Sequence, residues 1–345
     1  MSSEEQMAIL KLLEQGKITA QEAERLLRAV SGQSRGDGPR LDELGKNIGQ
    51  AMQEAGRAIS DAVGTARRSP AGRALGGMVD DVVSEFSGSG EEIEETREWT
   101  LEAAGVALLQ ADTSNGAIAV EGTDLEEIRV RATKKVKART RQQAEECAAQ
   151  VEVHAQREGD TVRIWEERPR NLTGIRVEVR YLVQCPRQLA LRLNTLNGAV
   201  TSQGTRAGVE ASTLNGKVEV KDSQGPMKLH SKNGKVAAHL ELLSGRGEFE
   251  TANGKVEVVV RAGQAPIDAK TLNGAVDLSL PADFSGRLDA STVHGHVHSE
   301  FPIPVVGKPD KARLEGDIGP GGEHLVRLRT LNGAISLKKL AAAQE

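Results

Sequence analysis

The chain has 345 residues, 38% hydrophobic and 27% charged, with 37 glycines and a formal net charge of −4. That length can bury a core without disulfide or metal staples, and the near-balanced charge excludes a protein drawn to nucleic acid by its overall field. Aromatic residues make up 2%, which favours thin, regular layers.

Residues 1–30 read as a two-helix hairpin. Ser3 with Gln6 and Thr19 with Glu22 have capping-box spacing, Ile9, Leu10 and Leu13 supply one apolar face, and Gly16 stands where a helix stops. Four basic residues (Lys11, Lys17, Arg25, Arg28) against five acidic ones (Glu4, Glu5, Glu14, Glu22, Glu24) argue against a phosphate-reading helix. Residues 31–90 form a second region, a flexible linker followed by amphipathic helices. Leu41, Leu44, Ile48, Met52, Ala55, Ile59 and Val63 are spaced 3, 4, 4, 3, 4 and 4, close to the period of a straight helix. After Ser69-Pro70, Leu75, Met78, Val79, Val82, Val83 and Phe86 continue in a second helix. Packing on protein, either this chain or a second copy, is the expectation for 41–86; peripheral membrane contact is the alternative.

Residues 91–343 carry a repeat. Asn-Gly stands at Asn115-Gly116, Asn197-Gly198, Asn215-Gly216, Asn233-Gly234, Asn253-Gly254, Asn273-Gly274 and Asn332-Gly333, with His294-Gly295 in one further slot. The spacings from 197 to 294 are 18, 18, 20, 20 and 21, and the 38 residues from 294 to 332 read as two further units of 19. Two residues before each Asn stands Thr or Ser, and two after each Gly stands Val or Ile. Alternation in steps of two on both sides marks half-buried strands. A turn recurring every 18–21 residues predicts a mainly β fold, a parallel β-helix-like solenoid with one coil per unit. Here Asn-Gly is expected to supply the positive φ of a tight turn. Residues 95–185 read as an entry version of the same structure, with strands at 106–110, 117–121, 127–132, 161–165 and 175–183 and a capping helix at 140–150.

The repeats, ending in Leu325-Val-Arg-Leu-Arg-Thr-Leu-Asn-Gly-Ala-Ile-Ser-Leu337, resemble the bacterial "putative adhesin" β-strand-repeat family, a domain of unknown function. The stretch Ile9-Leu-Lys-Leu-Leu-Glu-Gln-Gly-Lys-Ile-Thr-Ala-Gln-Glu-Ala-Glu-Arg-Leu-Leu27 resembles the SHOCT-like helical hairpin, and the combination is similar to the LiaX/YvlB type. The resemblance implies a non-enzymatic regulator or effector of bacterial cell-envelope stress.

No catalytic, cofactor or metal site is expected. His296 and His298 share an outer face, where they could hold a metal or simply be solvated. Arg129, Arg131, Lys134, Lys135, Lys137, Arg139 and Arg141 form a run without an acid; it reads as a solvated strand edge that discourages pairing, or as a contact for an anionic polymer. Lys217, Lys235 and Lys255 occupy one outward column beside Glu219, Glu257 and Asp277. A glycan-active enzyme would need clustered carboxylates, whereas Asp222, Asp268, Asp277 and Asp289 fall on different coils. A surface adhesin binding polysaccharide is a further alternative, and seven aromatics (two Trp, one Tyr, four Phe) offer few sugar platforms. The residues just before the Asn column include Leu196, Leu214, Leu272, Val293 and Leu331, an expected outward stripe for contact with the 41–86 helices. A protein partner or self-association is expected, without nucleic acid. The acidic N-terminus lacks a secretory pattern and no apolar run spans a membrane, so the expected place is the cytoplasm.

Overall fold

The computed structural model describes residues 90–169, 172–304 and 311–340. The helical hairpin at 1–30 and the linker and amphipathic segments at 31–89 lie outside the described residues.

The N-terminal part contains β1 (Glu91–Glu102), β2 (Leu108–Asn115), β3 (Ile118–Thr123), β4 (Glu127–Ala138), α1 (Arg141–Gln150), β5 (Glu152–Glu158), β6 (Thr161–Glu167) and β7 (Arg176–Pro186). The regular repeats follow as β8 (Ala190–Asn197), β9 (Val200–Gln203), β10 (Val209–Asn215), β11 (Val218–Gln224), β12 (Met227–Asn233), β13 (Val236–Leu242), β14 (Gly247–Asn253), β15 (Val256–Val260), β16 (Ile267–Asn273) and β17 (Val276–Leu280). The last are β18 (Gly286–His294), β19 (Val297–Ser299), β20 (Arg313–Ile318), β21 (Leu325–Asn332) and β22 (Ile335–Lys339).

They build two 11-stranded sheets. The first runs β1-β4-β7-β3-β9-β11-β13-β15-β17-β22-β19, and the second β20-β18-β21-β16-β14-β12-β10-β8-β2-β6-β5. Each Asn-Gly is a corner at which the chain leaves the second sheet for the first. Successive coils stack in parallel register: Asn215 pairs with Asn197 and Asn233, and Val218 with Val200 and Val236. The solenoid expected from the repeat is therefore the fold.

The alternation decides the core. Val200, Val218, Val236, Val256, Val276 and Ile335 from the first sheet are buried, as are Leu193, Ala211, Leu229, Phe249, Ala269 and Leu328 from the second. Phe249 stacks between Leu229 and Ala269, so a large ring has a small neighbour on one side.

Coil order departs from chain order at both ends. Residues 294 and 332 do not lie two coils apart, as the 38-residue spacing suggests, but on adjacent coils. β21–β22 returns and inserts between β16–β17 and β18–β19: Asn332 pairs with Asn273 on one side and His294 on the other. At the other end β2–β3 likewise lies between β6–β7 and β8–β9. The physical consequence is a locked end, because the last strand of the chain is bonded along both edges and cannot fray until its outer neighbour leaves. Antiparallel strands then finish the sheets: β20 on β18, β5 on β6, and β1 on β4.

The basic run is corrected by this topology. It lies on β4 and the residues after it, but β4 is an interior strand between β7 and β1. The edge is the acidic β1, whose strand character the sequence reading missed. Helix α1 starts at Thr140, whose hydroxyl accepts from the Gln143 amide, and buries Ala144, Cys147 and Ala148. Cys147 and Cys185 are both buried free thiols; burial pushes the Cys185 thiol up to about 12.

Candidate functional site

The Asn-Gly corners form three hydrogen-bonded columns. Five Asn side-chain amides donate to the Asn one coil back: Asn215 to Asn197, Asn233 to Asn215, Asn253 to Asn233 and Asn273 to Asn253 at 2.8 Å, and Asn332 to Asn273 at 2.7 Å; Asn115, where the Asn column ends, donates to the Val177 carbonyl at 2.9 Å. Each hydroxyl two residues earlier donates to a glycine carbonyl, as Thr213 does to Gly198 at 3.0 Å and Thr251 to Gly234 at 2.8 Å. Each glycine amide in turn donates to an Asn carbonyl in the next coil, Gly216 to Asn233 at 3.0 Å.

The glycine is needed for close approach. A Cβ on Gly216 would stand 2.0 Å from the Gly198 carbonyl oxygen, and one on Gly234 would stand 1.9 Å from that of Gly216. Asp222 is the one non-glycine residue with positive φ among those described, and Gly198, Gly216, Gly234 and Gly254 are not among the positive-φ glycines. The expected positive φ is met at Gly116 (φ 144°), Gly274 (157°) and Gly333 (156°), whereas the other corners dispense with it, and all seven are stacked too closely for a side chain.

The coil lacking Asn-Gly terminates this ladder. Glu166 accepts from the Thr113 hydroxyl at 3.0 Å and the Ser114 amide at 2.8 Å. Arg168 pairs with Glu166 at 2.6 Å and donates to the Val177 carbonyl at 3.1 Å. Both side chains are buried. The ion pair satisfies polar groups that a missing coil would otherwise satisfy, so its role is structural. At the opposite end of the ladder His294 occupies the Asn slot and is exposed.

The outer face of the first sheet is charge-compensated. Glu219 meets Lys217 and Lys221, each at 2.8 Å. Glu257 meets Lys255 at 2.9 Å and Lys235 at 3.1 Å, and Lys255 also reaches Asp277 at 2.7 Å. Hydrogen bonds from Lys217 and Lys221 hold the Glu219 carboxyl down at about 2, and bonds from Lys255 and Lys235 do the same for Glu257. The basic run is neutralised by β1: Arg131 meets Glu98 at 2.6 Å, Lys134 meets Glu95 at 2.8 Å, and Lys135 meets Glu94 at 2.7 Å.

At the N-terminal end of this face lies an open groove of about 950 Å³. Its floor is two rows across adjacent strands, Leu182, Ala119 and Thr201, then Gln184, Glu121 and Gln203, with Gln184 donating to Glu121 at 3.0 Å. Glu98, Arg131, Glu127 and Arg129 form one wall, and Glu219 and Lys221 the other. Leu182 is 53% exposed, the most exposed large apolar side chain among the described residues. Sequence reasoning passed over this site because its residues come from six strands spread over more than a hundred positions.

The outer face of the second sheet carries a polar row. Asn194 donates to Asp112 at 2.8 Å, and Ser212 donates to Asn194 at 2.6 Å. Burial raises the Asp112 carboxyl. His230 follows in register with Ser212, and its Nδ1 is 3.5 Å from Glu250. The serine hydroxyl is committed to Asn194, and the neighbouring backbone amides belong to the sheet ladder, so no preformed anion hole faces it.

The four scattered aspartates stay apart. Asp222 accepts from Gln203 at 3.2 Å, Asp277 pairs with Lys255, Asp268 with Lys270 at 3.0 Å, and Asp289 with Arg329 at 3.1 Å. His294, His296 and His298 are exposed, and the described residues hold no group of three or more side chains spaced to ligate a metal. The expected apolar stripe does stack, in the order Leu196, Leu214, Lys232, Ala252, Leu272, Leu331 and Val293. The leucines and Val293 are half-buried, Ala252 is buried and Lys232 is exposed, so the stripe is interrupted midway.

Comparison with known proteins adds two partial matches. A SHOCT-like domain matches residues 4–35, and a domain of unknown function, DUF7330, matches residues 212–301. No curated protein matches the chain. Among solved structures it is similar to a "putative cell adhesion protein" from Clostridium sporogenes, at 12% identity over 72% of this chain and 100% of that one, TM-score 0.32. A "putative adhesin" from Bacteroides fragilis is 12% identical over 72% and 97%, TM-score 0.33. A "putative lipid binding protein" from Parabacteroides distasonis is 13% identical over 72% and 97%, TM-score 0.30. Likenesses at this level say nothing of what this chain binds.

Proposed function

We propose that the chain is a non-enzymatic binding and assembly scaffold whose partner is a protein or a second copy, acting in the bacterial envelope-stress context that its SHOCT-like start and repeat resemblance suggest. The carrying observation is the pairing of the outward carboxylates. Glu219, Glu257, Asp268, Asp277 and Asp289 each lie against Lys or Arg. The Glu219 and Glu257 carboxyls, held at about 2 by their lysines, are unsuited to act as general acids near neutrality, and among the described residues no two of the five acids face one another across a cleft as glycoside hydrolysis requires. What remains is a rigid, flat, nearly neutral face of stacked strands, suited to contact over area. Among the described residues no helix is long and apolar enough to cross a membrane; contact at a membrane surface would come through 41–86.

The test incubates the full chain with purified cell-wall polysaccharide and follows both retention and release of new reducing ends. The expected outcome is no release. Release abolished by Asp268→Asn or Asp289→Asn would replace the scaffold with a glycan-active enzyme.

A further inference from the structure

Four strands stand at sheet edges: β1 and β19 in the first sheet, β20 and β5 in the second. A free edge offers unpaired backbone N–H and C=O groups to any strand that can lie beside it, so folds keep their edges short, bulged or charged. β19 has three residues, β20 has six and carries Gly316 at positive φ (159°), and β5 has seven. β1 has twelve, contains neither Pro nor Gly, and pairs with β4 over its whole length without a bulge. Nine of the twelve are exposed, and Ile93, Trp99 and Leu101 are half-buried. Among the described residues no strand lies on its other side.

The side chains of β1 decide what can lie there. Ile93, Glu95, Arg97, Trp99 and Leu101 share the core side, opposite Val136, Lys134, Ala132, Val130 and Ile128 of β4. Glu92, Glu94 and Glu98 share the outer side, where Lys135 and Arg131 already meet them. On the core side two charges are incompletely used. The Arg97 guanidinium stacks 5.1 Å from the centroid of the Trp99 ring and has no salt bridge among the described residues. Glu95 meets Lys134 through Oε2 alone, and its side chain is 54% exposed. A two-fold axis normal to the sheet would pair β1 antiparallel with its own copy, and facing side chains must then point to the same side. Centred on Thr96, such an axis sets Glu95 opposite Arg97 of the second copy and Ile93 opposite its Trp99, each contact occurring twice. Glu94 then meets Glu98, but each of these carboxylates already has a cation. Moved by one or two residues either way, the axis would set Glu94, Glu95, Arg97 or Glu98 against itself, so charge selects one register. The overlap runs from Glu91 to Leu101 in each copy, about 37 Å of strand. An open cleft of about 450 Å³, lined among others by Glu95, Arg97, Ala148 and Glu152, separates the core side of β1 from α1 and β5 and leaves room for the incoming Arg97 and Trp99.

We infer that β1 is a dimerisation edge, pairing antiparallel with β1 of a second copy about an axis at Thr96. This rests on the scaffold reading for the presence of a partner, and goes further by naming that partner and its surface. The 11-stranded first sheets of two copies join into one, and both Leu182 grooves, each with Glu98 and Arg131 in its near wall, flank the seam on the same side.

Sedimentation of the full chain over a dilution series is expected to show a monomer–dimer equilibrium. Arg97→Glu should weaken the dimer roughly tenfold or more, since it sets two like-charged pairs at the seam, and Glu95→Arg should do the same. An equimolar mixture of these two variants should dimerise again, because each strand then meets its opposite; this restoration also shows that neither variant has merely misfolded. Disulfides read the register. With Cys147 and Cys185 replaced by alanine, Thr96→Cys should cross-link two chains, because directly opposed residues lie about 4.5–5.5 Å apart. Glu94→Cys and Glu98→Cys should not cross-link singly, each lying about 14 Å from its own copy, but should do so when mixed. A monomer at every concentration overturns the inference, as does a dimer that Arg97→Glu leaves intact or that links through Glu94→Cys alone. A monomer that releases no reducing ends from cell-wall polysaccharide overturns this inference and leaves the scaffold reading standing, whereas a dimer that releases them overturns that reading alone.

Discussion

Replacing Gly216 by alanine probes the corner ladder directly. The new Cβ would stand 2.0 Å from the Gly198 oxygen and 2.6 Å from its carbonyl carbon, whereas real Cβ contacts stay beyond 3.0 Å. The two coils must therefore part by about 1 Å, and nothing flexible can give, since the obstacle is backbone. Parting stretches the Thr213–Gly198 bond (3.0 Å), the Asn215–Asn197 side-chain bond (2.8 Å) and the Gly198–Asn215 backbone bond (3.0 Å). Losing two of these at about 1 kcal/mol each, with overpacking of about 1–3 kcal/mol, gives about 3–5 kcal/mol of destabilisation. A compatible Gly→Ala change instead stabilises by about 0.4–1 kcal/mol through the unfolded chain, so even the sign is diagnostic. Gly322→Ala serves as control, because its nearest neighbour would be 3.5 Å away. Urea unfolding with hydrogen exchange of the 195–237 amides reads the effect locally, which matters in a stacked array that need not unfold as one unit. A Gly216→Ala midpoint equal to or above that of the unaltered chain would refute the stacking argument.

Three further expectations follow from the same contacts. Val218→Asp, in a side chain with 0% exposure, should cost several kcal/mol, whereas Lys217→Asp, one residue away and facing water, should stay within about 1 kcal/mol; equal losses in thermal melting would contradict the alternation. Glu166→Gln should cost about 3–5 kcal/mol by leaving Arg168 buried without its counter-charge, and Glu166→Gln with Arg168→Met should recover part of that in urea unfolding. The carboxyls of Glu219 and Glu257 are held at about 2, below their unfolded value; the stability they contribute is present above the usual carboxylate range and is lost as pH falls through it toward about 2. Lys217→Met should move the Glu219 midpoint back up in an NMR titration, and an unmoved midpoint would show that this ion pair has been misjudged.

The solenoid was legible because a stacked coil repeats one chemical requirement many times. An Asn at the corner needs another Asn above and below, Gly needs the room, and Thr and Val need the inside, so the pattern surfaced every 18–21 residues. The coil order was not legible, since a returning strand carries the same signature as a consecutive one. The motif-breaking copies did hold a signal: His294 stands in the outermost corner, and Glu166 with Arg168 replaces the corner at the other end. A ladder residue is dispensable where the ladder stops. β1 was missed because Glu91-Glu-Ile-Glu-Glu-Thr-Arg-Glu-Trp has little apolar alternation. Its pairing is set by the Lys and Arg residues of β4, 29 or more positions from their β1 partners. The groove was hidden for the same reason: Leu182 looks like any strand residue until Ala119 and Thr201 are found beside it.

Everything assigned to the faces, from the ladder to the groove, depends on which coil lies on which, and paired cysteines read this directly. Cys147 and Cys185 would first be replaced by alanine. Leu272→Cys with Leu331→Cys places thiols on adjacent strands in register, within reach of a disulfide, while Leu272→Cys with Val293→Cys places them one coil further apart, about 9–10 Å between strands. The interleaved order predicts rapid oxidation to a disulfide in the first pair and none in the second. A disulfide between 272 and 293, with 272 and 331 remaining reduced, would mean that the coils follow chain order and would contradict the account.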